Sequence, residues 1–227
     1  MKKIMIVCMT AILAMTTVLT GCKGTVTINM PAKPVAAAVQ EATAGFDVSD
    51  VYKAPEQKPS VDISECDTFT QIVDKLDAGK AYANAKVWNT DVLMVASNAY
   101  KWEPGKDAAT DADIFFYKDG IPTYIATVSS GGTAYPLQIK DGYLYVGGNH
   151  FMTKYLIDDG NLIEAEEAYV KYDKDGNATY YYKTCNSQFE DYDQATAKER
   201  FDELFAEQEG SDIIEFQPIE ATLSTLS

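Results

Sequence analysis

Four Asp-Gly pairs punctuate the middle of this chain, at Asp119-Gly120, Asp141-Gly142, Asp159-Gly160 and Asp175-Gly176. Two-residue hairpin turns need positive φ at their central positions, and Asp-Gly supplies it at low steric cost. Around the pairs run short segments rich in β-branched and aromatic residues: VWNTDVLMVAS, ADIFFY, PTYIATV, YPLQI, YLYVGG, FMTKYLI, LIEAEEAYVKY and ATYYYKT. Such segments read as strands, so the pattern predicts an antiparallel meander. Successive pairs stand 22, 18 and 16 residues apart. Similar strand–turn–strand units build propeller blades, but a blade takes about 40–45 residues and at least about four are needed. Residues 87–184 hold barely two. A single curved sheet, a sandwich or a small open barrel is expected instead.

Two helices flank the strand region. Asp67 or Thr68 caps a run in which Phe69, Ile72, Val73 and Leu76 recur at helical spacing, and Gly79 stops it. After the strands, Thr196 and Glu199 have the spacing of a capping box. Phe201, Leu204 and Phe205 follow on one stripe, and Gly210 ends it. Asp212 to Phe216 adds a last strand. The expected class is α+β, with two short helices covering an antiparallel sheet.

The start of the chain carries a different kind of information. Lys2 and Lys3 precede a mostly apolar run from Ile4 to Leu19, which is short for a membrane span. A basic start, an apolar middle and small residues at the end make a secretory signal. The run closes with Leu19-Thr20-Gly21-Cys22, which resembles the lipobox of bacterial lipoproteins. The resemblance implies cleavage before Cys22, a diacylglyceryl group on its thiol, and acylation of the new amine, palmitate being one such chain. Each buried acyl CH₂ contributes about 0.8 kcal/mol, so two or three chains anchor a domain without a spanning helix. The stretches GTAYPLQIKDGYLYVGGNH and YVKYDKDGNATYY are also similar to segments of uncharacterised lipoproteins of gut-type anaerobic bacteria. That resemblance carries no activity. The expected organisation is a signal over 1–21, a lipid-anchored tether over 22–62 rich in Ala, Pro, Lys and Glu, and one α+β domain over 63–220. The expected location is extracytoplasmic, at the cell membrane.

Charge narrows the partners. The chain carries a formal −15, and the signal holds two lysines and no acid, so the mature chain stands at −17. Such a surface repels phosphates and anionic headgroups, which argues against nucleic acid and against contact with the membrane other than through the lipid. Of four cysteines, Cys8 leaves with the signal and Cys22 takes the lipid, leaving Cys66 and Cys185. An exported chain can join them, closing a loop of about 120 residues worth roughly 4–5 kcal/mol in the chain-entropy account. Two unpaired thiols are the alternative.

Recognisable catalytic sets are missing. His150 is the one histidine, which leaves too few ligands for structural zinc. Ser129 and Ser130 sit in SSGG rather than in a G-x-S-x-G turn. Asp107, Asp111 and Asp113 suggest a calcium loop, but the sixth and twelfth positions are Ala112 and Lys118 instead of Gly and Glu. Neither a cofactor nor a metal is expected. The one unusual enrichment is tyrosine, with fifteen residues. Tyr143, Tyr145, Tyr155 and Tyr181, with Trp88 and Trp102, are candidates for an aromatic binding platform. The alternative is that tyrosine suits half-buried strands. The leading expectation is a ligand- or partner-binding module for an extracellular glycan, peptide or protein. A carboxylate-based hydrolase of envelope or extracellular polymers and a structural accessory subunit stand as alternatives.

Overall fold

Three of the four Asp-Gly pairs form the turns that the sequence demands. In the computed structural model, which describes residues 57–221, φ is 53°, 52° and 48° at Asp119, Asp141 and Asp159. It is 84°, 81° and 74° at the glycines that follow. Both central residues are left-handed, as type I′ turns require. The fourth pair differs, because there only Gly176 is left-handed. Asp173 builds a longer loop by accepting at its carboxylate from the Asp175 and Asn177 amides, at 2.9 and 2.8 Å.

The described residues are predominantly antiparallel β-sheet, as expected. Sheet 1 joins β1 (Ala81–Val87), β2 (Thr90–Ala96), β5 (Asp111–Lys118), β6 (Ile121–Ser129) and the short β13 (Gln217–Pro218), in the order β13-β1-β2-β5-β6. Sheet 2 joins β7 (Gln138–Lys140), β8 (Tyr143–Gly148), β9 (Phe151–Asp158), β10 (Asn161–Tyr172), β11 (Ala178–Thr184) and β12 (Asp212–Ile213), in the order β11-β10-β9-β8-β7-β12. A small ribbon pairs β3 (Tyr100–Glu103) with β4 (Lys106–Ala108). The segment VWNTDVLMVAS is not one strand. Trp88, at φ 56°, turns the chain between β1 and β2. The alanine-rich β1 is held extended by seven paired positions on β2, a tertiary constraint that overrides its weak strand propensity.

Strand alternation divides the apolar side chains among three cores. Val92, Met94 and Ala96 of β2 and Ile114 of β5 meet Leu144, Val146 and Ile157 of sheet 2 in the central core. The opposite face of sheet 1 presents Leu93, Val95 and Phe115 to α1 (Phe69–Asp74), whose Ile72 is fully buried. The opposite face of sheet 2 presents Tyr145, Met152, Ala168 and Tyr182 to Ala197 and Leu204 of α2 (Gln194–Glu209). Burying each Leu, Ile or Phe contributes about 1.5–3 kcal/mol. The helix starts follow local chemistry. Thr68 and Gln71 form a capping box on α1. On α2 the cap is Asp193, whose side chain accepts from the Thr196 amide at 2.8 Å, so the helix begins earlier than the Thr196–Glu199 spacing predicts.

One boundary is corrected and one open alternative is decided. Residues 57–62, assigned to the tether by composition, are held on the domain: the Ser60 amide donates to the buried Asp113 at 2.6 Å, and Val61 is buried under α1. Of the two alternatives left open for Cys66 and Cys185, the structure has the unpaired thiols. Cys66 is buried in the core between α1 and sheet 1, whereas Cys185 is exposed just beyond β11 on sheet 2. The signal, Cys22 and the tether as far as residue 56 lie outside the described residues.

Candidate functional site

The most developed concavity arises from a one-residue irregularity in β10. Glu164 pairs with Tyr155 of β9, but Glu166 pairs with Lys154, so Ala165 is an extra residue in the ladder. A bulge of this kind reverses the alternation beyond it. Glu164 and Glu167 therefore share the face that carries Tyr155 and Lys183, while Glu166 faces α2. Lys183 Nζ lies 2.8 Å from a carboxylate oxygen of each of Glu164 and Glu167. Hydrogen bonds to these two carboxylates hold the Lys183 ammonium above the usual lysine range despite some desolvation. Burial, reinforced by the Glu164 charge, pushes the Tyr155 phenol up as well.

Of these groups Tyr155, Glu164 and Lys183 line a cleft of about 700 Å³. Its other side is Ile125, Ala126 and Thr127 of β6, the last strand of sheet 1, and Cys185 lies at its margin. Further along the same face of sheet 2, Tyr169 stacks on Tyr181 with ring centroids 4.5 Å apart and planes at 15°. Phe189 meets both edge-on, and Lys171 Nζ lies 5.2 Å from each tyrosine centroid. Lys183 Nζ lies 5.1 Å from the Phe189 ring centroid, which links the cleft to this aromatic and ammonium strip, a surface chemistry that suits polar ligands with flat or extended faces.

No protein-family model, curated protein or solved structure matches this chain. The site therefore rests on its own chemistry.

A second polar cluster lies on the other face of sheet 2, beneath α2. Lys154 Nζ donates to Glu207 at 2.8 Å and Glu166 at 3.2 Å, and it sits 4.7 Å from the Tyr143 ring centroid. Tyr145 donates to Glu207 at 2.8 Å and Tyr182 to Glu166 at 2.7 Å. Burial and these carboxylates push both phenols well up. Desolvation opposes the charge on Lys154, but its two carboxylates outweigh that and hold the ammonium above the usual range. Every member is engaged by another, and α2 covers them. This network fastens a helix to a sheet.

The six aromatic candidates do not form one platform. Trp88 and Tyr143 meet at 5.2 Å, and Lys154 links Tyr143 to Tyr145. This group belongs to the α2 side of sheet 2 and to the turn where the Trp88 amide donates to Gly142 O at 2.5 Å. Tyr155 and Tyr181 lie on the opposite face, in the cleft and its strip. Trp102 is on the β3–β4 ribbon beside Tyr100, 6.4 Å away. His150 is exposed in the β8–β9 turn, 5.3 Å from Tyr172. The three aspartates of KDAATDAD have separate structural partners: Asp107 pairs with Lys101, Asp111 accepts from Ser97, and Asp113 accepts from Ser60 and Thr127. Among the described residues no three His, Cys, Asp or Glu side chains converge as metal ligands. No helix among them is long and apolar enough to cross a membrane.

Glu164, Glu167 and Lys183 were not candidates in the sequence. The available signal was the run IEAEEA inside a strand, an unusual charge density for a half-buried segment.

Proposed function

We propose that the chain is a lipid-anchored extracytoplasmic lipoprotein whose β-rich domain is a binding module. In this reading the domain is an α+β sandwich with α1 and α2 as covering helices, held at the membrane by acyl chains on Cys22. The ligand occupies the cleft between β6 and the face of β9–β11. The observation that carries the site is the arrangement of Lys183, held between Glu164 and Glu167, at a cleft of about 700 Å³, with Phe189 joining Lys183 to the Tyr169–Tyr181 stack. Charged groups that already satisfy one another preserve a fixed pattern of donors and acceptors for a ligand to complete. The hydrolase alternative draws less support from the same residues. A glycosidase pair needs one carboxyl group free to donate a proton to the leaving oxygen, whereas one ammonium engages both carboxylates here.

Two measurements test the reading. Cys22→Ala should move the protein from the membrane fraction to the soluble one, and continued membrane association would remove the anchor. A thermal-shift panel of oligosaccharides and peptides should then yield a ligand that stabilises the wild-type chain but not Lys183→Met. Equal stabilisation of both chains would place the ligand elsewhere and end the assignment of the cleft.

A further inference from the structure

Among the described residues, sheet 1 ends at β6 with no strand on its outer side. Its last strand, β6, has the sequence IPTYIATVS over Ile121–Ser129, with no charged side chain. An unpaired edge of this kind is a template for another strand unless charge, proline or a bulge blunts it. Pro122 and the bulge at Ile125, the extra residue between Tyr124 and Ala126, blunt the first half of β6, leaving Ala126–Ser129 regular. That regular half supplies the wall of the cleft.

The other long edge is treated differently. At β11 the Gln194 side-chain amide accepts from Tyr180 N–H at 2.9 Å and donates to Tyr180 O at 2.8 Å, making both bonds that a neighbouring strand would make. Ser187 takes the Thr184 amide at 2.8 Å. β12 and β13 are two residues each. On β6 the Thr127 amide points away from β5, and its partner among the described residues is the Gln57 side-chain oxygen, at 3.4 Å. A carbonyl of an added strand would sit where that oxygen sits.

We propose that β6 accepts an extended peptide of basic character as an added strand, laid over the inner face of β10 and β11. The proposal rests on the cleft being the ligand site and names the class of ligand. The main chain of the peptide bonds to the regular half of β6, and alternate side chains point toward Glu164, Glu167 and the Tyr169–Tyr181 stack. Charge selects the class. Glu164 and Glu167 flank Lys183, Lys171 lies further along at the tyrosine stack, and the whole chain carries −15, so lysine or arginine side chains beside the two carboxylates complement it and acidic ones do not. The same charge opposes β6-to-β6 pairing between two copies of this chain.

The test uses the mature chain labelled with ¹⁵N and the capped hexapeptide TKVKVT. Two controls accompany it: TEVEVT, and TKVKVT methylated on alternate backbone nitrogens. Expected are slowing of amide exchange at Thr127 by about ten-fold or more, and binding of TEVEVT and of the methylated peptide about ten-fold weaker or less. Glu164→Lys with Glu167→Lys should weaken TKVKVT by a similar factor while strengthening TEVEVT, a reversal that misfolding cannot produce. The proposal is overturned if TKVKVT leaves the β6 amides unchanged, if the methylated peptide binds equally, or if β6 is already protected in a dimer. An oligosaccharide that binds in a Lys183-dependent way without protecting β6 would overturn the peptide and keep the cleft. Absence of any ligand dependent on Lys183 would overturn both.

Discussion

The two sheets meet at a turn where one added methyl group should be felt across the core. Gly160 closes the Asp159-Gly160 hairpin at φ 74°, and a β-carbon there would lie 2.2 Å from Phe116 Cζ and 2.7 Å from Cε2. Phe116 is a half-buried residue of β5 packed against the central core, so its ring cannot swing clear without disturbing neighbours. Gly120 is the matched control. It occupies the same position of the same turn type, at φ 84°, with nothing within 4 Å of the added carbon. Gly120→Ala should therefore cost only the left-handed backbone penalty of about 1–2 kcal/mol, less a few tenths recovered from the unfolded chain. Gly160→Ala should cost that and a further 1–3 kcal/mol or so of overpacking. Urea unfolding with unchanged m values measures both. Combining Gly160→Ala with Phe116→Leu, which lacks the clashing ring edge, should recover at least about 1 kcal/mol relative to the sum of the single changes. If Gly160→Ala costs no more than Gly120→Ala, the docking of the β9–β10 turn on sheet 1 is wrong.

Three other outcomes are expected. Burial pushes the Glu207 carboxyl up, but the Lys154 ammonium and Tyr145 hydroxyl that donate to it outweigh this and hold it below the usual range. A depressed folded value means that its stabilisation is complete above an unfolded value of about 4.3 and is lost as pH falls through the folded one. Glu207→Gln should flatten the acid limb of the urea midpoint against pH, and curves parallel to wild type would contradict the pairing. Ser130 Oγ is buried without a hydrogen-bond partner among the described residues, so Ser130→Ala should be neutral or stabilise by up to about 1 kcal/mol, and a loss above that size in urea unfolding would reveal a missed partner. Cys185 should react with a maleimide in the folded protein and Cys66 only on unfolding, as intact mass would report, whereas protection of both thiols would restore the disulfide.

The resemblance of Leu19-Thr20-Gly21-Cys22 to a lipobox remains a matter of sequence, and the anchor that it implies is a proposal joined to the domain by chain connectivity. The cleft is the reverse case. Neither Glu164 nor Lys183 stands out in the sequence, and the six aromatic residues that do stand out are spread over both faces of sheet 2, the β1–β2 turn and the β3–β4 ribbon. Tyrosine-rich strands have this ambiguity built in, because alternation sends neighbours such as Tyr181 and Tyr182 to opposite faces.

What the chain determines by itself is local. The φ preference for a type I′ turn resides in the Asp-Gly residues themselves and is realised at three of the four pairs, the fourth being drawn into the Asp173 loop. Thr68 with Gln71 is enough to start α1, and alternation in DVLMVA is enough to make a strand with two apolar faces. Tertiary structure decides whatever depends on a partner strand. Ala83 and Ala85 are extended because β2 holds them, and Trp88 turns left-handed where its amide meets Gly142. The extra residue at Ala165 sends Glu164 and Glu167 to the cleft and Glu166 to α2. A residue's intrinsic preference amounts to tenths of a kcal/mol, whereas a ladder of paired strands imposes several times that on every residue it holds. Side-chain facing follows the register of that ladder, which no short stretch of sequence contains.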